Sequence, residues 1–352
     1  MCLRPGTVTG APYKGVDRVR RHSGAPRRAL RSTSAAALAT VVTVPSAPRL
    51  TLRPYAPADA GAVLSLVNAD RLPGQPGATP EMLREALAGR SPIDGDRWAE
   101  LDPPATHVAA GPDGTVLGVV SWARRPEDAT GLILWLHCRE DPRAADALVG
   151  TALAALGPRP VEAFRLATAL TRGVEALPRA HREATHAALE RAGFHGGPRW
   201  RYLLVDLPAP DLPRAARVRT VPEPGDSHAR RLEVRQGAAA AEAEAVIGLP
   251  VEGAGALWWI GVRQPSRRRG IGRSLLGSAL DVLGAHGARE AFLYVETNTV
   301  RGGEDDRTAA TALYRSAGFR EVDTLHSYTR PAPPPGCQLP LPSRAAASVA
   351  TS

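Results

Sequence analysis

Residues 257–276 read Leu-Trp-Trp-Ile-Gly-Val-Arg-Gln-Pro-Ser-Arg-Arg-Arg-Gly-Ile-Gly-Arg-Ser-Leu-Leu, an apolar strand running into a turn that holds Arg267, Arg268, Arg269, Gly270, Gly272 and Arg273. After the turn, Ile271, Leu275, Leu276, Ala279, Leu280 and Leu283 recur at helical spacing, and residues 285–287 supply a stop. Such a turn suits a pyrophosphate. Glycines allow close backbone approach, the first amides of a helix lack partners, and the helix dipole favours an anion there. Arginines add charge-assisted contacts to phosphate oxygens. Cations alone at a helix start oppose the dipole, which favours an anion site over a solvated basic face. Two other phosphate loops are excluded. Leu275 stands where a dinucleotide fingerprint needs its third glycine, and the only lysine, Lys14, is far from any Gly-Lys-Ser/Thr pattern.

A second group follows in order: a strand at 292–296 ending in Glu296, then a helix carrying Tyr314-Arg-Ser-Ala-Gly318-Phe319. Arg267-x-x-Gly270-x-Gly272 between strand and helix, together with this later Tyr-x-x-x-Gly-Phe, resembles the GCN5-related N-acetyltransferases. The resemblance implies acetyl-CoA as cosubstrate and no metal. It implies a pyrophosphate held by Arg267, Arg268, Arg269, Gly270, Ile271, Gly272 and Arg273, with the pantetheine arm along Ile260 and Val262. Arg307 falls where the family often has an asparagine near the cofactor. Tyr314 is implied to lie near the thioester sulfur as the acid for the departing thiolate, a role that a phenol of free pKa about 10 can fill for a thiol near 8.5. A neutral amine would attack the acyl carbon while a strand amide stabilises the oxyanion. For the general base, Glu296 is the best candidate, with Glu252, His326 and water as alternatives. The polar loop 298–307, with Glu304, Asp305 and Asp306, departs from the family pattern and would favour a cationic acceptor.

The elements that must position these residues occur twice. Ala-Gly193-Phe194 and Ala-Gly318-Phe319 both close a helix and precede a strand, at a separation of domain size. In the first copy the patterns predict strands at 50–53, 106–110, 116–122, 132–137, 162–170 and 200–206, with helices at 58–68, 80–88, 144–156 and 181–192. The second predicts strands at 231–236, 243–249 and 257–262, then helix, strand 292–296, helix and strand 324–329. The expected fold class is α/β with a mixed α+β sheet: two tandem acyl-CoA N-acyltransferase folds. The expected divisions are a disordered basic tail 1–48, a degenerate first domain 49–208, a catalytic domain 209–330 and a Pro-rich disordered tail 331–352. The first copy looks catalytically silent, because Cys138-Arg-Glu140-Asp141 replaces the glycine turn and Leu189 stands where Tyr314 does. Between Pro213 and Arg231 there is little room for the two helices that residues 57–90 supply in the first copy. The first half is therefore expected to complete the acceptor site of the second, an architecture resembling tandem members of the family.

Composition narrows the partners. The 352 residues carry a net charge of +9, but residues 1–49 hold nine cations and one acid, so the rest is nearly neutral. Nucleic-acid binding would rest on that tail alone and is not expected. The 43 arginines beside one lysine reflect composition bias more than function. No stretch approaches about 18 apolar residues, so no membrane partner is expected. Arg27-Arg28 before 35–44 only loosely resembles an export signal. Three scattered cysteines, Cys2, Cys138 and Cys337, support neither a disulfide framework nor a metal site and fit a reducing, cytoplasmic setting. The sequence thus points to an acetyl-CoA-dependent N-acetyltransferase acting on a small-molecule primary amine. Acetylation of a cysteinyl amine and a non-enzymatic acyl-CoA-binding module are the alternatives.

Overall fold

The computed structural model describes residues 50–334 apart from 93, 172, 210–211, 225, 236–239 and 298–306. The expected tails and the acidic loop 304–306 therefore lie outside the described residues, save for 331–334. The described residues all fall within one compact unit, Arg49–Ser352.

The first half runs β1 (Thr51–Pro54), α1 (Ala60–Ala69), α2 (Pro80–Leu87), α3 (Gly95–Ala99), β2 (Ala105–Ala110), β3 (Val116–Arg125), β4 (Thr130–His137), α4 (Pro142–Leu156), β5 (Val161–Ala163), β6 (Leu177–Pro178), α5 (Glu183–Arg191) and β7 (His195–Asp206). The second runs β8 (Val218–Glu223), β9 (Asp226–Val234), β10 (Ala243–Val251), β11 (Ala254–Val262), α6 (Ile271–Ala285), β12 (Glu290–Glu296), α7 (Thr308–Ser316) and β13 (Arg320–Arg330). Local chemistry sets the boundaries. Thr79 and Asp141 accept first-turn amides of α2 and α4, each followed by proline at the first helical position. The β10–β11 hairpin turns through Glu252 and Gly253, both at positive φ.

Two expectations changed. The strand predicted over 162–170 stops at Ala163, because Phe164 adopts a left-handed φ of 56° and takes the chain off the ladder. Where the second half lacks room for helices, the chain forms β8 over Val218–Glu223 and passes at once to β9, which starts at Asp226.

Among the described residues the strands form one mixed sheet in the order β1-β2-β3-β4-β5-β13-β7-β12-β11-β10-β9-β8, with β6 beside β13. The last strands of the two halves have changed places. β7 closes the first half in sequence but pairs with β12 along Asp206–Trp200, while β13, the end of the second, pairs with β5 through Tyr328, Thr329 and Arg330. Both halves repeat a further detail. β3–β4 pairing skips Leu134 and β10–β11 pairing skips Trp258, a bulge at the same place in each copy. Each parallel pairing is also brief, Gly131–Ile133 with Val161–Ala163 and Ala254–Ala256 with Glu290–Phe292, after which the strands part.

Helix α6 buries Leu275, Leu276, Ala279, Leu280 and Leu283 on the second half of the sheet, as its periodicity predicts. In the first half α4 and α5 pack on one face and α1 and α2 on the other. Tyr328 of β13 is wholly buried in the first-half core, its hydroxyl 2.6 Å from His186 Nδ1 on α5. Replacing it, Tyr328→Phe, leaves a buried imidazole nitrogen without that partner, and chemical denaturation should register a loss of about 1–2 kcal/mol.

Burial also governs the histidines. His107, His137, His186 and His326 are all pushed below their ordinary range chiefly by desolvation. Their unfolded forms bind protons more readily, so the stability they confer holds above the free histidine value and is lost as pH falls below about 6.5. Asp70 adds in the same sense: burial raises its carboxyl, but His137 and Arg182 outweigh that and hold it below the usual range. Thermal melting should therefore be unchanged from pH 8 to about 7 and should drop steadily towards pH 5.

Candidate active site

Beyond Ala256 and Phe292, β11 and β12 separate into a wedge. Residues 257–262 keep their bonds to β10 on one side, so the edge of β11 facing β12 offers backbone groups to an extended amide-bearing chain. Leu257, Ile260 and Val262 turn their side chains to the core under α6.

At the end of β11 the chain makes one 3₁₀ turn, Gln264–Ser266, then passes through Arg268 at φ 63° and Gly270 at φ 79° before α6 begins. A left-handed conformation there costs glycine little, and a Cβ on Gly270 would meet open space, leaving the backbone accessible. The first intrahelical bond runs from the Ser274 amide to the Gly270 carbonyl, 3.1 Å, and no side chain caps the helix. The amides of Ile271, Gly272 and Arg273 precede that bond and are unused by the helix. Gly272 lets α6 sit close to β11, since a Cβ there would lie 3.3 Å from Val262. Three of the four arginines are engaged: Arg267 Nε donates to the Val262 carbonyl at 3.0 Å, Arg269 lies 3.7 Å from Glu242, and Arg273 donates to Ser316 Oγ at 2.7 Å. Arg268 is exposed and makes no hydrogen bond or ion pair among the described residues. This turn fits a pyrophosphate.

The matching turn of the first half is filled by its own carboxylates. Asp141 accepts the amides of Arg143 and Ala144 at 2.8 and 3.3 Å. Glu140 accepts from the Thr185 amide and hydroxyl at 2.9 and 2.7 Å and from Arg182 Nε at 2.6 Å. Leu189, in the place of Tyr314, is fully buried. Cys138 is buried too, and burial pushes its thiol up to about 11, so it is no ready nucleophile.

Tyr314 lies on α7 in the α6 core, 8% exposed, its ring edge-on to Phe319 at 5.8 Å. Burial pushes its phenol up to about 12, with the nearby Arg307 charge pulling the other way. Arg307 itself is the residue before α7. Glu296, half-buried at the end of β12 and level with Trp200, makes no hydrogen bond or ion pair among the described residues. The other base candidates are placed differently. Glu252 accepts from the Gly77 amide and from Arg71, both at 3.0 Å, and His326 packs against His186 and Tyr328.

The first half reaches over the second at this face. Leu72 and Val174 join Tyr202, Phe292 and Leu325 in one cluster, against which Trp200, Trp258 and Tyr294 pack, and the Tyr202 hydroxyl donates to the Pro73 carbonyl at 3.1 Å. A cavity of about 50 Å³ remains there, bordered by Pro76, His228, Gly248, Trp258 and Phe292. Sequence reasoning named neither these loop residues nor the Trp258 bulge. The bulge shows only in the strand pairing, and no residue type in the sequence signals it.

Residues 234–319, which span both motifs, match the model of the acetyltransferase (GNAT) family. Mycothiol acetyltransferase of Clavibacter michiganensis subsp. michiganensis is 40% identical over 83 residues, 23% of this chain and 24% of that protein. The N-alpha-acetyltransferase RimI of Mycobacterium tuberculosis is 42% identical over 71 residues, covering 20% of this chain and 38% of that one. These matches span well under half of the relatives' own length. A tandem GNAT protein from the clavulanic acid biosynthesis pathway shares the fold, with a TM-score of 0.54 at 15% identity over 81% of this chain and 99% of that one. A GCN5-related N-acetyltransferase from Sphaerobacter thermophilus aligns with a TM-score of 0.50 at 18% identity, covering 80% and 95%. Residues 234–319, which hold both motifs, thus carry an acetyltransferase (GNAT) family domain, and the duplicated fold around them is the one shared with the tandem GNAT protein.

Proposed function

We propose that the second half transfers an acetyl group from acetyl-CoA to a primary amine of a small molecule, and that the first half serves as a silent partner that walls the acceptor side. The observation that carries this reading is the contrast between the two turns: uncapped amides and, among the described residues, an unpartnered Arg268 before α6, against amides already taken by Asp141 before α4. The pyrophosphate sits on residues 267–273, and the pantetheine arm lies in the wedge along Ile260 and Val262. The C–N bond forms as the C–S bond breaks. Tyr314 gives its proton to the departing sulfur, and the proton shed by the attacking nitrogen passes to Glu296 or to water. Because burial keeps Tyr314 protonated, it acts as a relay that regains its proton rather than resting as a phenolate. The divisions 49–208, the degenerate copy, and 209–330, the catalytic copy, follow the sequence repeat within one compact unit, and no helix among the described residues is long and apolar enough to cross a membrane.

The second reading is acetylation of a cysteinyl amine in the manner of mycothiol synthase, favoured by the match to the mycothiol acetyltransferases. One experiment tests both. Purified protein is incubated with acetyl-CoA and cysteinyl pseudodisaccharides, aminoglycosides or peptide N-termini, and release of CoA thiol is followed. Thermal stabilisation by acetyl-CoA with thiol release for one of these amines is the expected result. No stabilisation and no release across the panel defeats the reading.

A further inference from the structure

We propose that Trp259 is the platform on which the acceptor lies, and that the acceptor therefore presents a flat ring beside its amine; this rests on the acetyltransferase reading above. The shared bulge aligns Trp259 with Trp135 of the first half, since each follows the skipped residue of its strand. Trp135 is 3% exposed beneath α1 and α2, whereas Trp259 is 43% exposed: β8, the counterpart of β1, ends at Glu223 and β9 starts at Asp226, with no helices between them to cover it. The uncovered indole is one residue from Ile260, on the face of β11 opposite α6, and just past the point where β11 and β12 part.

The ring is also laid flat. Gly261 has no side chain, and a Cβ built on it would lie 2.5 Å from the indole, so the ring rests along the strand over that glycine. Its cross-strand neighbour is Val246. The carboxylates bordering this face are already committed: Glu244 pairs with Arg231 at 3.0 Å and Glu233 with Arg235 at 2.9 Å. What this part of the face offers a ligand is thus an aromatic surface whose two neighbouring carboxylates are already paired, which favours a ring over a second cation.

The test uses the full chain and 2-(4-nitrophenyl)ethylamine, a ring amine that quenches indole fluorescence, beside hexylamine. The expected result is saturable quenching in the wild type, weakened about tenfold or more in Trp259→Ala and largely kept in Trp259→Phe after correction for the lost indole signal. In turnover with acetyl-CoA, Trp259→Ala should raise KM for the ring amine about tenfold while hexylamine changes less than about twofold. Gly261→Val, which displaces the indole without removing it, should imitate the alanine variant. Wild-type quenching equal to that of Trp259→Ala, or an equal loss for both amines, overturns the assignment. So does sedimentation showing a dimer that Trp259→Ala dissociates, because a second copy would then cover the indole. Specific quenching with no CoA release from any amine would uphold the platform and defeat the acetyltransferase reading instead.

Discussion

Tyr314→Phe should lower kcat by roughly a hundred- to a thousandfold, the usual worth of a positioned acid, while KM for acetyl-CoA stays within about twofold. In the proposed mechanism the phenol would meet sulfur only as the thioester breaks, so its loss would fall on the chemical step and not on cofactor binding. The ring's packing against Phe319 and the α6 core is unchanged in this variant, so melting should move little. Burial already pushes the phenol up to about 12, so the wild-type kcat should show no alkaline fall from this group up to about pH 10. A variant with wild-type kcat on the best amine of the panel would remove Tyr314 from the mechanism.

The second large effect concerns binding. Arg268 is exposed, sits at a left-handed φ beside the α6 amides and has no partner among the described residues. Its guanidinium is available to phosphate without breaking anything else. Arg268→Ala should weaken acetyl-CoA binding about tenfold. Arg268→Glu, which would set a carboxylate against a pyrophosphate bound at this turn as proposed, should weaken it about a hundredfold, with the melting temperature of the free protein unaltered. Calorimetric titration with acetyl-CoA reads both. Arg267 and Arg273 make poorer tests because their side chains tie the turn to Val262 and α7 to α6. Equal affinity in Arg268→Glu would move the phosphate site away from this turn.

Much of this was legible in the residues themselves. Helix α6 announces itself through Leu275, Leu276, Ala279, Leu280 and Leu283, and its start through glycines and arginines whose chemistry favours an anion. Tyr314 and Gly318-Phe319 are a motif in which order and spacing carry the meaning. Less legible was anything that depends on which strand lies beside which. The alternation of β7 and β13 predicts a strand in each case, but a period of two residues carries no address for the partner. The termination at Phe164 is a single left-handed residue, and its side chain gives no warning, since phenylalanine is an ordinary strand former. Trp258 and Trp259 read as a simple apolar run until the bulge sent one into the aromatic cluster and left the other open.

The traded strands also bear on how such a chain can evolve. After a duplication, a redundant copy is normally free to decay or be deleted. Here the first copy's β7 is the antiparallel neighbour of β12, and the second copy's β13 fills the place beside β5, so each copy is a structural part of the other. A copy in this position can lose its turn glycines and its tyrosine and still be retained, because selection on its twin's sheet protects it. Fusion has made the pair a single heritable unit, open to divergence in chemistry but closed to separation.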